Sequence, residues 1–66
     1  MAMHTSPQQQ VVNRIRAEFV EMPDLKLTIE EIQRLCDVNR SLCEAAIESL
    51  VQAQFLYETS DRRYTR

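Results

Sequence analysis

Residues 28–50, TIEEIQRLCDVNRSLCEAAIESL, decide the fold, because they place two apolar helical patterns on either side of a three-residue break. In the first, Ile29, Ile32, Leu35 and Cys36 recur at three- and four-residue spacing, which draws one face of a helix. Thr28 and Glu31 supply its start. A threonine hydroxyl accepts from the backbone N–H three residues on, and the glutamate carboxylate reaches back to the threonine N–H. The spacing predicts a helix over 29–36. In the second pattern Cys43, Ala46, Ile47, Leu50 and Val51 fall at i, i+3, i+4, i+7 and i+8, a broad core-facing stripe behind Asn39 as N-cap. This predicts a helix over 40–53. Asp37 and Asn39 in the break are turn formers, and Val38 between them is an apolar residue able to plug the angle between two helices.

Both cysteines of the chain, Cys36 and Cys43, lie in this stretch, each periodic with Ile, Leu and Ala rather than with other ligand types. A zinc site needs about four ligands. The sole histidine, His4, stands in an N-terminal tail with no CxxC or HxxxH spacing nearby. The two thiols therefore read as small core hydrophobes, with a disulfide or redox pair as the alternative. No metal and no cofactor is expected. The chain has no glycine, hence no phosphate-cradling loop, and no Ser, His and acid set that could converge, so it does not read as an enzyme.

Working outward, Ser6, Pro7 and Gln9 read as N-cap, first-turn proline and capping partner of a helix over 7–22, ended by Pro23. Val12, Ile15, Phe19 and Met22 form its apolar stripe, and Arg14, Arg16, Glu18 and Glu21 a solvated face. Leu25, Lys26 and Leu27 alternate as a very short extended segment. FLYETSDRRYTR at the end holds two runs of strand formers, 55–57 and 63–65, around the polar turn Thr59, Ser60, Asp61 and Arg62. The expected core is Val12, Ile15, Phe19, Ile32, Leu35, Val38, Cys43, Ile47, Leu50 and Leu56. Residues 1–6 read as a flexible tail and 7–66 as one domain.

Sixty-six residues allow a single small core, near the lower limit for a domain without staples. No apolar run approaches the roughly 20 residues of a membrane span, and MAMHTSPQQQ lacks the layout of a signal peptide, so a cytoplasmic location is expected. Eight basic against ten acidic residues leave a net charge of −2 and no global pull towards nucleic acid. Any such binding must come from a local patch.

The order helix, short strand, helix, turn, helix, hairpin over residues 10–66 resembles the winged helix-turn-helix superfamily, as found in MarR- and IclR-type transcription regulators. The likeness rests on Leu27 and Thr28 opening the second helix, Val38 after the tight turn, the run Leu50 to Leu56 before the wing, and Arg62, Arg63 and Tyr64 at the wing. That family usually carries glycine where Asp37, Gln54 and Arg62 stand, each replacement being tolerable in a left-handed or turn conformation at modest cost. The resemblance implies a mainly α fold, a three-helix winged helix-turn-helix with a small β-hairpin.

It also implies duplex DNA as partner, with helix 40–53 in the major groove and wing 55–66 on the backbone. Asn39, Arg40, Ser41 and Glu44 on that helix, and Arg62, Arg63 and Arg66 in the wing, are then the expected contacts. Yet the outward face of the helix, residues 39, 40, 41, 44, 45 and 48, offers one base, Arg40, against two acids, Glu44 and Glu48. Two functions therefore stand. One is a small DNA-binding transcriptional regulator acting as a homodimer. The other is a winged-helix protein–protein interaction module whose acidic third-helix face does not bind DNA. Neither involves a membrane or a small-molecule substrate.

Overall fold

A computed structural model of the protein describes residues 6–66. His4 and all but Ser6 of the expected tail lie outside these residues. Helix α1 (Pro7–Glu21) begins where the Ser6 hydroxyl accepts from the Gln9 N–H at 3.1 Å with Pro7 in the first turn. It stops one residue short of the expected end. Met22 is the C-cap at φ −129°, because the ring of Pro23 drives the residue before it out of the helical region. Its side chain leaves the stripe and is 55% exposed, so the buried face of α1 ends at Phe19.

Helix α2 (Ile29–Cys36) has both bonds of its capping box, Glu31 N–H to Thr28 Oγ1 at 3.2 Å and Thr28 N–H to Glu31 Oε1 at 2.8 Å. Helix α3 (Arg40–Gln52) is capped by Asn39, whose Oδ1 accepts from the Leu42 N–H at 2.8 Å. Strands β1 (Tyr57–Glu58) and β2 (Tyr64–Thr65) pair antiparallel, Tyr57 opposite Thr65 and Glu58 opposite Tyr64. The first strand begins two residues later than expected. Phe55 is unavailable to it because the Phe55 N–H closes the end of α3 on the Leu50 carbonyl at 3.0 Å. Leu27 bridges β2 from the side away from β1, exchanging bonds of 3.1 and 2.7 Å with Tyr64, so the short extended segment joins the hairpin. The protein is thus mainly helical with three helices and a two-stranded hairpin, a layout compatible with a winged helix. No described helix is long and apolar enough to cross a membrane.

The core is built where α1 crosses α3, with α2 and Leu56 closing it. Eight of the ten expected core residues are buried, and Val11 and Ala46 join them. Val38 is half-buried and packs against the cluster, as a plug between α2 and α3. Leu35 is half-buried and stands outside that cluster. At 3.6 residues per turn it lies about 60° from Ile32, on the side away from Ile29 and Cys36. A helix of eight residues tilts only one narrow stripe inward, and here that stripe is Ile29, Ile32 and Cys36.

Three residues other than glycine have positive φ among those described: Asp37 at 54°, Gln54 at 62° and Arg62 at 63°. These are the three positions where the winged-helix pattern carries glycine. Gln54 sits in a Schellman closure of α3, its N–H donating to the Val51 carbonyl at 3.0 Å while Phe55 bonds Leu50. Arg62 closes the hairpin loop, its N–H donating to the Thr59 carbonyl at 3.0 Å, the arrangement of a short loop ending in a left-handed residue.

Cys43 is fully buried, Cys36 is half-buried rather than a core residue, and both are free thiols. Burial pushes Cys43 up to about 11, with the neighbouring Cys36 adding to the shift, and burial raises Cys36 as well. At neutral pH native protein should label slowly, Cys36 before Cys43, and both should react fast on unfolding, because the thiolate is the reactive form. A thiol raised in the folded state gives stability that is complete below its unfolded value of 9.0 and is lost as pH rises through about 11. Urea midpoints should hold to about pH 9 and fall above it. Native Cys43 labelling as fast as an unfolded thiol would contradict its place in the core.

Candidate functional site

Helix α3, the hairpin of the expected wing and the start of α2 together line a groove of about 560 Å³. Its apolar lining is Ile29 from α2, Ile47 and Val51 from α3, and Tyr64 from β2. They are there because the stripe of α3 is wide: Ile47 lies at its centre, and Val51 at the margin is half-buried. The walls are charged. Glu44 and Glu48 come from α3, Glu30 from α2, and Glu58 and Asp61 from the wing, against Arg40 and Arg62. Five carboxylates meet two guanidiniums, and the lining has a net charge of −3.

Arg40 is not free to meet a ligand. Its Nη1 lies 3.2 Å from Glu30 Oε2 and its Nε 3.1 Å from Glu44 Oε2, so it clamps the start of α3 to the start of α2. The hydrogen bond it donates to Glu44, then the charge of Glu30, holds its guanidinium above the usual arginine range. Arg63 is likewise engaged, at 3.5 Å from Glu31 and 3.4 Å from Asp61, which ties the wing to α2. Glu31 already accepts from the Thr28 N–H, and that bond is the main reason its carboxyl lies below the ordinary range. Asp61 is lowered chiefly by the Thr59 hydroxyl, which donates to it. Arg62 has no ion-pair partner among the described residues and stands at the groove rim.

Of the residues expected to contact DNA, the fold gathers Arg40, Glu44 and Arg62 around one groove. Asn39 spends its side chain on the α3 cap, and Ser41 is exposed outside the lining. Arg66 stacks over the Phe55 ring at 4.7 Å, where Arg16 also lies at 5.4 Å, away from the groove residues. Sequence reasoning singled out neither Glu30 and Glu58 as site residues nor Ile29, Val51 and Tyr64 as lining. The Arg40–Glu44 contact was readable as an i,i+4 pair. Glu30, ten residues before Arg40, reaches it only because the turn at residues 37–39 folds α2 back beside α3. No known protein family, curated protein or solved structure matches this chain.

Proposed function

We propose that this chain is a winged-helix module that engages another protein, rather than duplex DNA, through the face formed by α3 and the wing. The winged-helix reading is supported by the element order, the Leu27–Tyr64 bridge that adds a third short segment to the hairpin, and the three left-handed residues at the glycine positions of that pattern. The choice of partner rests on one observation: the groove between helix and wing carries five carboxylates and only one guanidinium, that of Arg62, without an ion-pair partner among the described residues.

A duplex presents about one negative charge per 1.7 Å of axis, so a DNA-reading face needs cations released from other duties. Arg40 would have to leave two carboxylates, and Arg63 two more. The acids suit a cationic protein surface, where the same charges steer association and set register.

Fluorescence anisotropy with a mixed-sequence duplex at about 50 mM salt tests this, since even a modest set of phosphate contacts is visible under that condition. The wild-type chain should show no binding. Replacing Glu44 and Glu48 by Gln should create weak, salt-sensitive, sequence-independent binding by removing repulsion. Saturable wild-type binding, lost when Arg62 and Arg63 are both changed to Ala, would restore the regulator reading.

A further inference from the structure

We infer that the groove between α3 and the wing takes a segment of a partner protein in which an apolar side chain is flanked by lysines or arginines. This rests on the protein-binding reading above and adds the chemistry of the occupant. The groove has two independent features that a single segment must satisfy.

The first is its floor. Ile29, Val51 and Tyr64 are only half-buried and leave apolar surface open beside the buried Ile47 within a concavity of about 560 Å³. That volume lies in the range of ligand-binding clefts, about 300–1,000 Å³. An inserted aliphatic side chain would complete the packing of all three elements at once. The second is the pair of walls. Glu48 on α3 has only the neutral amide of Gln52 as partner, at 3.3 Å, and Glu58 on β1 makes no ion pair among the described residues. The Tyr64 phenol, raised first by burial, also feels the charges of Glu58 and Glu44, which line the same groove. Uncompensated carboxylates therefore stand on both sides of an apolar floor. Cations on both sides of an apolar residue match that order, and neither an acidic peptide nor a nucleic acid does.

The test uses the full chain, labelled with ¹⁵N, and a blocked peptide with one central leucine between two pairs of arginines. Amide shifts should be saturable and centred on Glu44, Glu48, Val51, Glu58 and Tyr64. A peptide with glutamates for the arginines should give none, and alanine for leucine should weaken binding by about tenfold or more, as loss of a buried aliphatic side chain does. Glu48→Gln with Glu58→Gln should weaken it by about fivefold through loss of two exposed ion pairs. Arg62→Gly removes the one unpaired cation from the rim and should tighten the peptide about threefold, a gain that misfolding cannot mimic. Shifts that are absent, or unaffected by leucine and by these variants, would overturn the inference. Concentration-dependent shifts without peptide would assign the groove to a second copy of the chain, and also overturn it. A duplex DNA arm separates the two levels: DNA shifting the same amides defeats the protein-binding reading, whereas silence from both probes defeats only the basic occupant.

Discussion

Phe19→Ala should remove most of the stability of this domain. The ring is fully buried, on the face of α1 that crosses α3, and is the largest of the side chains sealed from solvent. Truncating a buried phenylalanine costs about 3–5 kcal/mol, part from lost transfer and part from the cavity left behind. At roughly 0.05–0.15 kcal/mol per residue, a domain of this size has about 3–10 kcal/mol in all. No disulfide compensates, since both cysteines are free. Urea denaturation followed by circular dichroism should show the variant largely unfolded or melting at a small fraction of the wild-type midpoint. Val20→Ala, on the same helix at 53% exposure, should stay within about 0.5 kcal/mol of wild type. A loss below about 1 kcal/mol for Phe19→Ala would mean that α1 does not close the core as described.

The contrast between Phe19 and Met22 shows which information a sequence carries openly. Both belong to one three- and four-residue stripe, yet only Phe19 is buried, because periodicity assumes a helix that Pro23 has already ended. Caps were legible for a related reason. Ser6, Thr28 and Asn39 each act on a backbone N–H within three residues, so nothing beyond the local chain decides them. Leu35 fits the stripe by spacing, yet its burial depends on the tilt of α2, which packing against α3 and α1 sets. Phe55 has strand propensity, but the closure of α3 claims its N–H first. The groove was least visible of all. Its acids come from three elements, and Glu30, Glu44, Glu48, Glu58 and Asp61 read singly as solvated surface until the turn and the hairpin bring them around one floor. The left-handed backbone at Gln54 and Arg62 is legible only through the glycines of the resembling family, since neither side chain favours a positive φ, whereas Asp37 is a turn former that also tolerates one.

Gln54→Gly and Arg62→Gly should therefore stabilise the protein, against the usual rule that glycine weakens a fold. In the left-handed region a Cβ crowds the following carbonyl at roughly 1–2 kcal/mol, and glycine has no Cβ. Part of that gain is offset because glycine enlarges the freedom of the unfolded chain, which leaves about 1 kcal/mol at each site. Neither change removes a side-chain hydrogen bond or an ion pair, because Gln54 and Arg62 make none among the described residues, and the backbone bonds of Gln54 to Val51 and Arg62 to Thr59 remain. In so small a domain each kcal/mol shifts Tm by roughly 4–8 °C, so the double variant should melt about 8–16 °C above wild type. Asp37→Gly should gain less, since a short polar side chain is already tolerated there. Arg62→Val is the opposing control: a β-branched residue at φ 63° should lower Tm by several degrees. Melting curves that fall for both glycine variants would show that these residues do not hold left-handed backbone, and with that the likeness to the glycines at the helix end and hairpin tip of the resembling family would lose its support.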